Sequence, residues 1–275
     1  MKTISFIGAG NMGGAVARAV CKAIDPAEVV LFDIDSAKAA HLADEIGCTV
    51  ASSTEEAVRL SKYIMFAVKP QFYDGTAAQV MPALKACVDA GEEKIVTSLM
   101  AGITLGGLEK TITEAGMELP VIRILPNTPA MIGEGLSLVV GNAMAKERGA
   151  TAELIELLKY TGLVEETTEH ELDLASHIYS CSPAWVDMFI EALADGAVAT
   201  GLFRDKALRY AAQGVKGSAA LVLESHQHPG ALKDAVCSPG GITIQGVIAL
   251  EKRGFRAAVI EAVEAAEKKR QEMAR

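Results

Sequence analysis

The first half of the chain alternates two hydrophobic rhythms. Short, nearly unbroken apolar runs lie at Thr3–Ile7, Glu28–Phe32, Cys48–Val50, Tyr63–Val68, Lys94–Thr97, Val121–Leu125 and Leu136–Val140. Their length and β-branched content are those of buried strands. Between them run stretches of helical period. One leads from an early glycine turn to about Ile24, one from Ser36 as N-cap to Ile46, one is opened by Thr54, and one runs from about Phe72 to Val88. Lys69-Pro70 stops the fourth strand, and Pro126-Asn127-Thr128-Pro129 stops a later one. Strand and helix in this alternation predict an α/β fold with a doubly wound parallel sheet.

After about Glu165 the rhythm is helical only. Glu171–Ile178, Pro183–Gly201, Lys206–Ser225 and Phe255–Arg275 are Ala-rich, with apolar faces too broad for the surface of a monomer. The expected division is a sheet domain over residues 1–165 and an all-helical domain over 166–275 that buries its faces against a second copy.

Composition narrows the partners. Half of the 275 residues are hydrophobic and the net charge is −9. An acidic chain without a basic face is a poor partner for nucleic acid. Five scattered cysteines without a Cys-x-x-Cys pair predict a reduced, cytoplasmic protein. The first strand begins at Lys2, leaving no room for a signal peptide. No apolar run is long enough to cross a bilayer, so no membrane role is expected. His226 and His228 stand two apart, but no carboxylate or thiol joins them at ligand spacing, and no metal is expected.

Gly8-Ala9-Gly10-Asn11-Met12-Gly13 follows the first strand directly and opens a helix. In that position the three glycines serve a tight turn, close approach to a pyrophosphate, and helix–strand packing. This predicts a Rossmann-type site for NAD(P)H. Asp33, at the end of the second strand, is placed to accept bonds from the adenosine ribose and to repel a 2′-phosphate, which favours NADH over NADPH. Asp33 or Asp35 can equally cap the next helix. Ala67-Val68-Lys69-Pro70 ends the fourth strand on the edge where the nicotinamide half should pass; Lys69 is either ligand-facing or a solvated loop charge. Ala101 and Gly102 offer a small floor after the next strand. Asn127 can bond the carboxamide or fix its own loop.

Far downstream, Cys237-Ser238-Pro239-Gly240-Gly241-Ile242-Thr243 places a Pro-Gly-Gly turn between two helical segments. Glycines admit close approach, and a turn before a helix leaves N–H donors free for a small carboxylate.

These motifs, with Arg123-Ile-Leu-Pro-Asn-Thr-Pro129, Ser182-Pro183-Ala184 and the approach Leu232-Lys-Asp-Ala-Val236, occur in an order that resembles the pyrroline-5-carboxylate reductase family from end to end. The resemblance implies a Rossmann domain followed by a helical dimerisation domain, interlocked homodimers that in many members join into rings, and NAD(P)H-dependent reduction of L-Δ1-pyrroline-5-carboxylate to L-proline. It implies that Gly8 to Gly13 hold the pyrophosphate and Ala67 to Pro70 line the nicotinamide ribose. Thr54 stands where the family often has an asparagine that contacts the cofactor. Ser238 and the N–H groups of Gly240 and Gly241 would bind the substrate carboxylate, and Thr243 would bond the ring nitrogen, in a pocket shared with the partner subunit. This chain departs from the family at Ser180-Cys181-Ser182-Pro183-Ala184-Trp185, where Cys181 replaces a serine among the expected substrate contacts.

The chemistry asks little of side chains, because a protonated imine is already electrophilic; position and exclusion of water suffice. Thr243 can polarise the nitrogen or act as a helix cap. A β-hydroxyacid dehydrogenase of similar build would need a basic lysine, and Pro183-Ala-Trp-Val186 offers none. A dinucleotide sensor would not need the Ser238–Thr243 loop. A reductase of another cyclic imine remains open at this stage.

Overall fold

Lys2–Ile7 forms the first strand, β1, with Ile4, Phe6 and Ile7 all buried. Burial on both faces is the mark of a parallel sheet covered by helices. The computed structural model describes residues 1–273. In chain order the further elements are α1 (Asn11–Ala23), β2 (Val29–Phe32), α2 (Ser36–Ile46), β3 (Thr49–Val50), α3 (Thr54–Leu60), β4 (Ser61–Phe66), α4 (Tyr73–Asp89), β5 (Ile95–Ser98), α5 (Leu105–Glu114) and β6 (Val121–Pro126). Then come β7 (Gly135–Gly141), α6 (Ala143–Glu147), α7 (Ala150–Leu158), β8 (Gly162–Glu166), α8 (Glu169–Ala199), α9 (Arg204–Ser225), α10 (Pro229–Ala235), α11 (Ile242–Lys252) and α12 (Phe255–Met273).

Among the described residues the strands form one eight-stranded sheet in the order β3-β2-β1-β4-β5-β6-β7-β8. All neighbours are parallel except β6 and β7. Those two are antiparallel because only a short 3₁₀ turn, Thr128–Ile132, joins them, ending at Gly133 with φ of 77°. A parallel return would need a crossover of a dozen residues or more. Alternate strand residues feed two cores. Phe6, Tyr63 and Ile95 pack with Val16 and Val20 of α1 and Leu154 and Leu158 of α7. Ile7, Ile64 and Val96 pack with Val80 and Leu84 of α4 and Leu108 and Ile112 of α5.

One helix cap differs by one residue from the sequence reading. Asp35, not Ser36, caps α2, its carboxylate accepting from the Lys38 N–H at 3.2 Å. The helix α3 opens at Thr54 as expected, with Ser53 as its cap accepting from the Glu56 N–H at 3.1 Å.

A larger difference lies in α8. The sequence predicts two helices that part before Pro183, and the structure has one. Proline lacks the N–H that would bond the carbonyl four residues back. That carbonyl belongs to Tyr179, and Asn127 Nδ2 donates to it at 2.9 Å. The side chain replaces the missing partner, and the helix runs on.

The chain divides into two compact units, Met1–Ser180 and Cys181–Met273. They part inside α8, later than residues 165 and 166. The second unit is helical throughout. Among its described residues only Ala194 and Ala207 are fully buried, while Met188 and Leu223 are each 70% exposed. Phe189 and Phe255 stack at 5.8 Å between ring centres. A unit so rich in leucine, isoleucine and valine with so little interior has apolar faces left to cover.

Candidate active site

Ile7 lies beside Phe32 and Phe66, and Phe66 beside Ser98. Gly8, Asp33, Ala67 and Leu99 therefore follow side by side at the carboxyl edge of the sheet. The strand order reverses here, with β1 between β2 and β4. Open α/β sheets bind ligands in the crevice at such a point.

The three glycines have three different surroundings. Gly8 has φ of +112°, and a Cβ there would lie 2.6 Å from Ala67 O. Gly13 packs its Cα against the turn so closely that a Cβ would overlap Gly8 O and meet Ala67 Cβ at 3.0 Å. Gly10 meets no protein atom that closely; the nearest to its Cβ position is Lys38 Nζ at 3.9 Å. The first and third glycines thus serve the protein, and the second keeps an open cradle. Gly10 is also the N-cap of α1, without a side-chain cap and with no acidic residue in the first turn. The helix N–H groups and their dipole face outward, as a pyrophosphate requires. Asn11 is exposed, and Met12 packs against the core.

Asp33 holds the turn in shape. Its Oδ2 accepts from the Ala9 N–H at 2.7 Å and its Oδ1 from the Asp35 N–H at 3.0 Å. Each oxygen keeps a second lone pair for a ligand. Beside it opens a cleft of about 440 Å³ lined by Phe32, Asp33, Ile34, Ser36, Val50 and Ser52. That volume falls in the general range of small-ligand pockets. Arg18 donates Nε and Nη2 to the two oxygens of Glu45, at 2.6 Å each.

On the nicotinamide side, Ala67 and Val68 are half-buried and Lys69 and Pro70 exposed. Ala101 and Gly102 are exposed, and Gly102 has φ of +83° with open space where a Cβ would point. Two expected cofactor residues point elsewhere. Thr54 is buried, its hydroxyl 3.4 Å from Gln79 Oε1. Asn127 is buried with both ends engaged: Nδ2 on Tyr179 O, and Oδ1 accepting from the Leu136 N–H at 2.9 Å. Its amide closes the gap left by Pro183 and pins the β6–β7 turn, which is the loop-fixing one of its two expected roles.

In the second unit, Ser238-Pro239-Gly240-Gly241 forms a turn closed by the Gly241 N–H on Ser238 O at 3.0 Å, with Gly240 at φ of +70°. Proline second and a positive-φ glycine third are the requirements of a type II turn. A Cβ on Gly241 would overlap Ser238 Oγ, so that glycine makes room for the serine side chain. Because the Gly241 N–H closes the turn, the free donors here are those of Gly240 and the first turn of α11. Gly241 is the N-cap of α11 and has no side-chain cap. Thr243 is exposed in the first turn and is not the cap. Cys181 is half-buried within α8.

The paired histidines have structural work. His226, at φ of 54°, ends α9 in the left-handed conformation, and His228 Nδ1 caps α10 by accepting from the Gly230 N–H at 3.0 Å. Burial raises the Cys21 thiol to about 12 and the Cys48 thiol to about 11, so neither is a nucleophile near neutral pH.

The sequence matches two family models: residues 3–102 a model for coenzyme F420-dependent NADP oxidoreductases, and residues 169–273 the pyrroline-5-carboxylate reductase dimerisation model. Over 264 residues, 95% of this chain and 94% of the relative, it is 39% identical to the pyrroline-5-carboxylate reductase of Escherichia coli K12. The chain belongs to the pyrroline-5-carboxylate reductase family. The reductase of Pisum sativum is 37% identical over 98% of this chain and 96% of its own. Among solved structures, the Plasmodium falciparum pyrroline carboxylate reductase with NADP bound superimposes with a TM-score of 0.83 at 30% identity, covering 100% of this chain and 98% of that one. The helical unit with its uncovered apolar faces thus lies within the stretch that matches the dimerisation module of this family, and the glycine turn within the stretch that matches the NADP oxidoreductase model.

Proposed function

We propose that this protein is a pyrroline-5-carboxylate reductase that converts L-Δ1-pyrroline-5-carboxylate to L-proline, the last step of proline synthesis, as a cytoplasmic homodimer. The observation that carries this reading is the near-full-length family likeness, which spans both the glycine turn and the Ser238–Thr243 loop. NAD(P)H, when bound, would supply the hydride for the imine carbon, and the proton carried on the ring nitrogen would complete the secondary amine.

The protein's part is to bind and orient. The Gly8–Gly13 turn and the N-terminus of α1 hold the pyrophosphate, and the backbone of Ala67 to Pro70 with Ala101 and Gly102 borders the nicotinamide half. Ser238 and the Gly240 N–H hold the substrate carboxylate, helped by the first-turn N–H groups of α11. Thr243, with a hydroxyl not used in capping, bonds the ring nitrogen and stabilises its proton. Reaction requires the hydride donor and the imine carbon about 3–3.5 Å apart with water excluded. Exposed leucine and methionine faces in the second unit support self-association.

The assay is consumption of NADH or NADPH with the imine; absence of turnover with both cofactors overturns the reading. Thr243→Ala should lower kcat roughly tenfold, the worth of one hydrogen bond that holds the charged imine in place for hydride transfer. Its dissociation constant for NADH should stay unchanged; a fall in cofactor affinity alone would remove Thr243 from the substrate side.

We further infer a preference for NADH. Asp33 places a carboxylate at the nucleoside cleft, and Arg18 is already held by Glu45, so a 2′-phosphate meets repulsion without a bidentate partner. Asp33→Ser should raise the NADPH-to-NADH ratio of kcat/KM about tenfold, a screened charge–charge effect. Asp33→Asn, which keeps an oxygen for the Ala9 N–H, should shift the ratio with less loss of total affinity. An unchanged ratio in both variants would leave Asp33 only its structural bonds.

A further inference from the structure

We propose that Lys38 is a cofactor-binding residue whose ammonium closes over Gly10 onto the pyrophosphate, adding the same increment of affinity for NADH and NADPH. The proposal rests on the dinucleotide reading of the glycine turn. Lys38 lies in the first turn of α2, with its backbone N–H bonded to Asp35. Its side chain extends back across the crevice, and Nζ is the nearest protein atom to the Cβ position of Gly10. Gly10 is the one glycine of the three whose missing side chain is not filled by protein, and so marks where the phosphates approach most closely.

The neighbouring charges decide what that ammonium is for. Arg18, on the same helix as the cradle, is tied to Glu45. Asp33 is tied to Ala9 and Asp35 through both oxygens. Lys38 has no carboxylate partner among the described residues, and is an exposed cation standing over an uncapped helix N-terminus. Two like-signed charges facing one empty cradle repel each other until an anion enters between them. A dinucleotide pyrophosphate carries two negative charges and would be held from one side by the α1 N–H groups and from the other by Lys38. A 2′-phosphate belongs to the adenosine ribose on the Asp33 side, away from the Gly10 cradle, so the geometry points to the pyrophosphate shared by both cofactors.

Binding of ADP-ribose and of 2′-phospho-ADP-ribose to the full-length protein, measured by calorimetry at low and high salt, tests this without turnover. Lys38→Met should weaken both ligands about three- to fivefold at low salt, the range of a solvent-screened ion pair, and should flatten the salt dependence of both. Lys38→Arg should retain most of the affinity, and adenosine alone should bind wild type and Lys38→Met equally. Weakening of 2′-phospho-ADP-ribose only would overturn the proposal by moving Lys38 to the 2′-phosphate, and no change in either ligand would overturn it as a solvated surface charge. Failure of the wild type to bind ADP-ribose at all would overturn the dinucleotide reading itself, and this proposal with it.

Discussion

Gly10→Ala should leave the protein folded and strip it of cofactor, whereas Gly8→Ala should damage the fold itself. The two glycines are two residues apart in one motif, so a uniform view of the motif predicts a uniform result. The surroundings predict opposite ones. Gly10 sits at φ of −67° and ψ of −174°, a conformation open to any residue. A methyl group there meets no protein atom closer than Lys38 Nζ at 3.9 Å. Unfolding should therefore stay within about 0.5 kcal/mol of wild type. The same methyl fills the space a pyrophosphate needs and separates it from the α1 N–H groups. Loss of one charge-assisted contact of about 3 kcal/mol corresponds to roughly 100-fold weaker NAD(P)H binding. Gly8, at φ of +112°, offers the reverse case: its Cβ would meet Ala67 O at 2.6 Å and Ala67 C at 2.8 Å. Backbone atoms just past the end of a central strand, held by the Ala67 N–H on Ile7 O at 2.9 Å, cannot turn aside as a flexible side chain does. Left-handed strain and overpacking together should cost about 4 kcal/mol. Urea unfolding and cofactor titration on both variants check the split; equal loss of stability in the two would show that the cradle at Gly10 is also packed by protein.

Much of this was legible before any coordinates, for physical reasons that can be named. The glycine turn is readable because its position between strand and helix leaves few other uses for three glycines at that spacing. The switch to helices after the sheet is readable because periods of two and 3.6 differ over any ten residues or so. The Ser238–Gly241 turn is readable because Pro-Gly has few other conformations. Elements that rely on tertiary support were not. The helix α5 opens with Gly106 and Gly107, poor helix formers that give no local signal. The helix α8 survives Pro183 only because Asn127, more than fifty positions earlier, bonds the Tyr179 carbonyl. No window along the chain contains both residues. For the same reason no local pattern separates the two readings of Asn127, carboxamide partner or loop anchor, and Thr54 is suggested by the family resemblance alone; the fold buries both and turns their bonds inward.

Lys94 is the strongest instance of a role hidden from local pattern, and its removal should be the most damaging single change on the far side of the sheet. Read along the chain it is the polar first residue of a buried strand. In the fold it is 1% exposed, an unusual state for a lysine. Its ammonium donates to Val58 O and Ser61 O at 2.8 Å each and to Arg59 O at 3.3 Å. Those carbonyls belong to the end of α3 and the residue that begins β4, where a helix leaves its last acceptors without partners. A cation there also meets the negative end of the helix dipole. Glu92 reaches the same ammonium at 3.0 Å but stands partly in solvent. Lys94→Met keeps most of the stem volume and leaves two buried carbonyls unpaired, at about 1–3 kcal/mol each. A net loss of about 4 kcal/mol follows, which in a chain of this size lowers the melting temperature by roughly ten degrees. Glu92→Gln should lower it far less, because the carbonyls and not the carboxylate hold the ammonium in place. Thermal unfolding of the two variants beside wild type decides the matter. Should Glu92→Gln prove as damaging as Lys94→Met, the ion pair rather than the helix end would be what Lys94 serves.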